Sequence, residues 1–231
     1  MRSSISLAAS AGSAGGGSGL NELLVRIVSG VIMIGIALAA AYEGRDFFAL
    51  LVAAVSVAML WEWRNLTKEW GFKWSVGGFA YCAIPAIALV WIRLIEPDNM
   101  FPKLLLWVFI VTWATDIGAY FVGRAIGRNK LAPAISPGKT IEGLIGGMVA
   151  AGLLGGAWAI EQGLGKPLLV AAPLFALAAQ AGDLFESWIK RRAGVKDSGH
   201  ILPGHGGLLD RVDGLVPVAV LTALAQLSGL A

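Results

Sequence analysis

The sequence predicts an all-α polytopic membrane protein with about seven transmembrane helices, whose charged loops gather on the cytoplasmic side. Of the 231 residues, 57% are hydrophobic and only 14% are charged, whereas about a quarter of the residues in a soluble domain are charged. The apolar residues fall into seven runs, each near the roughly 20 residues that a helix needs to cross a bilayer. Because backbone polar groups in lipid need partners within their own segment, each run is predicted to be a helix.

Residues 1–21 are mostly Ser, Gly and Ala and are predicted to form a flexible tail. A signal peptide or an engineered linker is a weaker interpretation of the same residues. Residues 22–231 are predicted to form a single transmembrane domain. Turn and helix-breaking residues separate each apolar run of this domain from the next. The predicted helices are 24–42, 47–63, 76–95, 104–123, 141–160, 167–187 and 213–230.

The basic residues predict the orientation of these helices. Fourteen of the 18 Lys and Arg residues lie in the N-terminal segment or in the regions that follow helices two, four and six. Cytoplasmic loops of membrane proteins carry such an excess, so these segments are expected to face the cytoplasm. The excess of Lys and Arg in these segments also explains the pI near 9.2. Because the net charge is only +3, we expect a lipid bilayer and no nucleic acid as partner.

Small residues recur at every fourth position of helix five, which allows the backbone of another helix to approach closely. They are Gly143, Gly147, Ala151, Gly155 and Ala159. We expect this ridge to be a packing interface without chemistry of its own.

Three acidic residues at membrane depth indicate function, because a carboxylate inside a bilayer is costly. Asp116 interrupts helix four, and Asp183 and Glu186 lie near the end of helix six. Asp183, Glu186, Ser187 and Lys190 have the spacing of one helix face, which would present carboxylates, a hydroxyl and a cation together.

A dense polar segment follows helix six, and its mixed charge is more than orientation requires. It contains Lys190, Arg191, Arg192, Lys196, Asp197, His200, His205, Asp210, Arg211 and Asp213. Carboxylates can hold a divalent cation together with substrate phosphates, and Lys and Arg neutralise the remaining phosphate charge. Two His without further nitrogen or sulfur ligands do not indicate zinc, so the carboxylates favour magnesium.

The segment after helix four is a second candidate phosphate site. Ser136, Lys139 and Thr140 lie where helix five begins, and a helix N-terminus favours an anion. Gly138-Lys139-Thr140 is not a P-loop, because Pro133 occupies the position of the first glycine of that motif.

These segments together resemble the phosphatidate cytidylyltransferases (CDP-diacylglycerol synthases). The main match is to their signature, here Ser187, Lys190-Arg191, Lys196-Asp197, Gly199, Pro203 to Gly207, Asp210-Arg211 and Asp213. Further matches are Trp61-Glu62-Trp63, Asp116, Gly118 to Phe121, Gly123-Arg124, Lys130-Leu131, Pro133, Ile135 to Thr140, Glu142-Gly143 and Gly182 to Glu186. Many family members are longer in their N-terminal half.

The resemblance implies a nucleotidyltransferase of phospholipid biosynthesis, in which CTP and phosphatidate give CDP-diacylglycerol and pyrophosphate. It implies Mg²⁺ as cofactor, leaves a second, monovalent cation open, and implies active-site loops at the cytoplasmic face of a bacterial inner membrane. A homodimer is also left open. The chemistry would take place in the domain of residues 22–231.

The resemblance also implies roles for individual residues. The implied catalytic residues are Asp183, Lys190, Arg191, Lys196, Asp210 and Arg211. The implied substrate-binding residues are Ser136, Lys139, Thr140, Ser187 and His205. The implied metal ligands are Asp183 and Asp210, with Asp213, Asp197 and Asp116 as further candidates.

Two alternatives stay open at this point. A related CTP-dependent polyprenol or lipid kinase would share a membrane-embedded nucleotide site, but the run from Pro203 to Asp213 favours the cytidylyltransferases. An ion-coupled transporter could use Asp116 and Asp183 along a translocation path. The sequence lacks the internal repeat that is typical of many transporters.

Overall fold

The computed structural model describes residues 16–97, 102–202, 204 and 206–230. Its helices are α1 (Gly16–Glu43), α2 (Arg45–Thr67), α3 (Phe72–Ile95), α4 (Lys103–Ile126), α5 (Ile141–Glu161), α6 (Lys166–Arg192), α7 (Leu209–Val212) and α8 (Leu215–Leu227). Two short strands, β1 (Lys130–Ala132) and β2 (Ser136–Thr140), lie between α4 and α5.

Five helices, α2 to α6, are long and apolar enough to cross a membrane. This confirms the prediction of an all-α membrane protein. The apolar helical segments Ile27–Glu43 and Leu215–Leu227 are shorter, so the count of about seven spans stays a prediction. The tail boundary at residue 21 stays one too: residues 1–15 lie outside the described residues, and α1 begins at Gly16.

Helix α6 is longer than its sequence pattern predicted. It continues past residue 187 to Arg192, so that Lys190, Arg191 and Arg192 form its last turn and are not part of a loop. Basic side chains stabilise the C-terminal end of a helix, where the unpaired carbonyl groups concentrate partial negative charge. The polar face of Asp183, Glu186, Ser187 and Lys190 is therefore carried on one continuous helix.

The connection between α4 and α5 is a small antiparallel hairpin, although the sequence analysis predicted a loop. Lys130 pairs with Thr140, and Ala132 pairs with Ser136. The Glu142 carboxylate, in the first turn of α5, accepts hydrogen bonds from the backbone N–H of Arg128 and of Asn129. This contact fixes the start of the hairpin against the helix that follows it.

The predicted small-residue ridge of α5 is confirmed as a packing surface. All five of its residues are buried, and α4 and α5 form the most extensive helix pair of the described chain. A methyl group at Gly147 would lie 2.8 Å from the carbonyl oxygen of Thr115, and one at Gly155 would lie 2.7 Å from Val111 Cγ2. Glycine at these positions therefore lets α4 and α5 approach to backbone contact.

An aromatic cluster connects α2, α3 and α6. Trp63 is 2% exposed, and its indole N–H donates to the carbonyl oxygen of Trp74 at 2.9 Å. The ring of Trp63 lies 5.0 Å from that of Tyr81 and 6.3 Å from that of Phe185, measured between centroids. Aromatic pairs at these separations stabilise beyond the area they bury, so this cluster holds the C-terminal half of α2 against α6.

Gly147→Ala should destabilise the protein by about 1–3 kcal/mol, because the added methyl group overpacks the contact with α4. The measurement is thermal unfolding of the detergent-purified protein. Gly77→Ala is the matched control: it makes the same change in α3 with nothing within 4 Å of the new methyl group. An equal effect of both variants would contradict the close α4–α5 contact.

Candidate active site

A polar cleft of about 630 Å³ opens between α4, β2, α5, α6 and α7. These elements belong to the two candidate phosphate-binding segments predicted from the sequence, one around the start of α5 and the other from α6 to α7, which are far apart in the chain. The polar side chains that line the cleft are Asp116, Tyr120, Arg124, Ser136, Lys139, Thr140, Gln180, Asp183, Asp210, Arg211 and Asp213.

Lys139 connects the hairpin side of the cleft to α6. Its ammonium group lies 2.6 Å from Asp183 Oδ2 and donates to Gln180 Oε1 at 2.7 Å. The next residue, Thr140, caps α5, because its hydroxyl oxygen accepts from the backbone N–H of Gly143. Strand β2 thus places the Lys139 cation at the start of α5 and against a carboxylate of α6.

Asp210 is the most highly coordinated carboxylate of the cleft. Its Oδ2 accepts from the backbone N–H of Ser198 at 2.9 Å, the Ser198 hydroxyl at 3.0 Å and the backbone N–H of Gly207 at 3.0 Å. Its Oδ1 pairs with the Lys190 ammonium group. Burial alone would raise the pKa of Asp210, but the hydrogen bonds and the positive charge of Lys190 lower it below its ordinary value. Asp210 is therefore a stable anion that closes the loop from residue 198 onto α7.

Lys190 lies between two acids of different elements. It pairs with Glu186, one turn earlier on α6, and with Asp210 on α7. Glu186 is 2% exposed, so its carboxylate has little access to the cleft. On the same face of α6, the Ser187 hydroxyl donates to Asp183 Oδ1 at 3.3 Å. The four residues of the predicted helix face therefore form two pairs. Glu186 and Lys190 form the buried pair, and Asp183 and Ser187 form the pair near the cleft.

Asp213 lies close to α6, because Gly182 leaves room for it. A methyl group at Gly182 would overlap the carbonyl oxygen of Asp213 and would lie 2.9 Å from Pro217 Cγ. Asp116, Asp183 and Lys139 line the same cleft as Asp213. Three carboxylates from α4, α6 and the turn after α7 thus face one region of the cleft.

The donor set of this region suits a hard divalent cation. All of its acids offer oxygen ligands, and Mg²⁺ commonly uses one or two carboxylates together with waters and substrate phosphates. Among the described residues, no group of three His, Cys, Asp or Glu side chains is arranged to hold a metal ion by itself. The residues fit a cation whose coordination is completed by substrate oxygens better than a cation that is held by protein ligands alone.

Several predicted site residues lie outside the lining of the cleft. Arg191 donates to the carbonyl oxygens of Ile135 and Val195, so it connects the hairpin to the end of α6. Lys196 and Asp197 are exposed on the loop that follows α6. His205 lies outside the described residues. These roles stay predictions.

Three residues that the structure places in or beside this site were not predicted as site residues, although Glu62 was among the family matches. Gln180 contacts Lys139, Ser198 contacts Asp210, and Glu62 of α2 contacts the loop from behind. Glu62 is a fully buried carboxylate in a candidate membrane span. The rule that singled out Asp116, an acid within an apolar run, would have found it.

Comparison with known proteins gives consistent relatives. Three curated proteins named phosphatidate cytidylyltransferase illustrate the range. That of Brucella suis is 46% identical over 178 residues, which cover 75% of this chain and 63% of the relative. That of Bacillus subtilis is 39% identical over 74% of this chain and 66% of the relative. That of Rickettsia typhi is 34% identical over 86% of this chain and 89% of the relative. The chain therefore spans less than two thirds of the length of the Brucella relative.

A family model also matches the part of the chain that forms the cleft. The model is described as the cytidylyltransferase family, and it matches residues 72–228, more than half of the chain. Every polar residue that lines the cleft falls within this range. The chain belongs to the cytidylyltransferase family.

Proposed function

We propose that this protein is an integral membrane nucleotidyltransferase that transfers the cytidylyl group of CTP to phosphatidate. The products are CDP-diacylglycerol and pyrophosphate. The observation that supports this most strongly is the cleft itself, where carboxylates and cations from α4, β2, α6 and α7 meet at the end of apolar helices. The names of the relatives support the same reaction.

The reaction brings two anions together, so charge neutralisation is its main requirement. A phosphate oxygen of phosphatidate attacks the α-phosphorus of CTP, and the bond from that phosphorus to the oxygen of the β-phosphate breaks. Pyrophosphate leaves with the bonding electron pair. The attacking phosphate is already ionised at neutral pH, so no protein nucleophile is required. Lys139, Arg124 and Arg211 line the cleft and would contact the phosphates.

In this proposal Asp183 and Asp213 would hold Mg²⁺ together with waters and substrate phosphates, and Asp116 stays a further candidate ligand. The cation would supply positive charge to the triphosphate and the leaving pyrophosphate. Asp210 also remains a predicted ligand. Its hydrogen bonds to Ser198 and Gly207 and its pairing with Lys190 support an additional role in shaping the loop.

The proposed orientation places the cleft at the cytoplasmic face of a bacterial inner membrane, with about seven spans if α1 and α8 also cross. The distribution of Lys and Arg supports it, since the segments from α4 to β2 and from α6 to α7 meet at one end of the helices. A homodimer remains a prediction from the family resemblance alone.

The activity itself is tested by incubating the purified protein with CTP, phosphatidate and increasing Mg²⁺. We expect CDP-diacylglycerol and pyrophosphate in equal amounts and no turnover after chelation of divalent cations. Release of CDP with phosphorylation of a polyprenol would favour a lipid kinase instead. Substrate flux in proteoliposomes without CTP turnover would favour a transporter.

Asp183→Asn should lower kcat by at least about 100-fold, because it removes the negative charge that would bind the cation and that pairs with Lys139. Steady-state kinetics over a range of Mg²⁺ concentrations measure the effect. Asp46→Asn is the matched control, since Asp46 is an exposed acid at the start of α2, away from the cleft. Near-normal kcat of the Asp183 variant at low Mg²⁺ would contradict the assignment.

The orientation is tested by labelling introduced cysteines. Cys82 is 2% exposed, so it should give little background. Arg128 and Glu161 are exposed near opposite ends of α5, whose 21 residues span roughly 30 Å. With an impermeant maleimide and intact spheroplasts, we expect Glu161→Cys to react at once and Arg128→Cys to react only after lysis. The reverse pattern would contradict the proposed sidedness.

A further inference from the structure

Glu62 makes an unusual set of contacts for an acid in an apolar helix. It lies near the C-terminal end of α2, and it is 0% exposed. A buried carboxylate is strongly unfavourable unless hydrogen-bond donors surround it. Its donors come from residues 198 to 209, which are more than 130 positions away in the sequence.

Each Glu62 oxygen accepts a backbone hydrogen bond from the start of α7. Oε1 accepts from the N–H of Leu208 at 2.9 Å, and Oε2 accepts from the N–H of Leu209 at 2.8 Å. Oε2 also lies 3.1 Å from the Ser198 hydroxyl. That hydroxyl has one proton, and it lies 3.0 Å from Asp210 Oδ2 as well. Glu62 and Asp210 therefore hold the same loop from opposite sides.

Two glycines of the loop leave space for the Glu62 carboxylate. A methyl group at Gly199 would lie 2.9 Å from Glu62 Cδ, and one at Gly207 would overlap the Ser198 hydroxyl and lie 2.8 Å from Glu62 Oε2. Glycine at both positions thus lets the loop close around the acid. Trp63, the next residue of α2, is buried in the aromatic cluster with Tyr81 and Phe185, which fixes Glu62 relative to α6.

Glu62 does not line the cleft, whereas Asp210, Arg211 and Asp213 do. These three residues follow immediately after the backbone groups that Glu62 holds. We propose that Glu62 is a positioning residue: from membrane helix α2, its carboxylate sets the place of α7 and thereby of Asp210 and Arg211 in the cleft. The expected effect of Glu62 on kcat rests on the proposed cytidylyl transfer. Its expected effect on the position of α7 does not.

The structural consequence is tested by hydrogen exchange in Glu62→Gln. Glutamine keeps the size of the side chain but replaces one acceptor oxygen by an N–H₂ group, so one of the two backbone donors loses its partner. We expect exchange in the segment of residues 198–212 to become about 10-fold faster or more, with α4 and α5 unchanged. Asp46→Asn, on the same helix, is the matched control and should change neither region.

The kinetic consequence is tested on the same variant. We expect kcat per folded molecule to fall by about 100-fold, the size of effect that a shift of about 1 Å produces. KM should rise less, because Lys139 and Arg124, which would contact the phosphates from the other side of the cleft, are untouched. Glu62→Asp keeps both acceptor oxygens and should recover part of the lost kcat. If Glu62→Gln does not fold, Gly199→Ala presses a methyl group against the same carboxylate and should give the same two effects.

The outcomes separate this inference from the proposed function. Faster loop exchange together with reduced kcat supports the positioning role. Unchanged exchange in the loop overturns it, and so does faster exchange with unchanged kcat per folded molecule. If the unmodified protein transfers no cytidylyl group to phosphatidate, the proposed function fails, and the exchange measurement alone decides whether Glu62 holds the loop.

Discussion

The pairing of Lys190 with both Glu186 and Asp210 is the interaction on which the site depends. It joins the last turns of a candidate membrane helix to the short helix α7. Removing the Lys190 side chain would leave two buried carboxylates without their cation, which is far more costly than losing an exposed ion pair. The described residues between Val195 and Leu208 have little regular structure of their own, so this charge cluster and the backbone contacts of Glu62 determine where they lie.

Close helix packing makes this arrangement possible. The cleft needs α4, α5 and α6 to bring polar groups to one end while the rest of each helix is apolar. Glycines of α5 allow backbone contact with α4, and Gly182 of α6 allows contact with the backbone of Asp213. A lipid environment gives helices no hydrophobic drive to associate, so small residues and a few internal hydrogen bonds determine their positions. Rigid helices therefore fix the separations between Asp116, Asp183 and Asp213, although these acids are far apart in the sequence.

The sequence was informative about what local rules determine and less so about long-range contacts. Apolar runs gave the helices, because a bilayer leaves few alternatives for the backbone. The spacing of Asp183, Ser187 and Lys190 placed them on one face, as the structure has them. The hairpin of β1 and β2 was not predicted, because three- and five-residue strands have no clear periodicity. The pairing of Lys139 with Asp183 could not be derived either, since it depends on how α4, α5 and α6 pack.

The residues that the family model matches and the residues that shape the site do not coincide, as the contribution of α2 shows. The family model begins at residue 72, so it omits Glu62, yet this acid accepts the hydrogen bonds that orient α7. All the polar residues that line the cleft come from residues 116–213, which would suggest that the N-terminal half only completes the helical bundle. The buried carboxylate argues otherwise: without it, the N–H groups of Leu208 and Leu209 would need other acceptors in an interior that the structure fills with apolar side chains and aromatic rings. The part of the fold that forms the cleft therefore includes the end of α2, because the loop that presents Asp210 and Arg211 depends on that helix for part of its backbone hydrogen bonding.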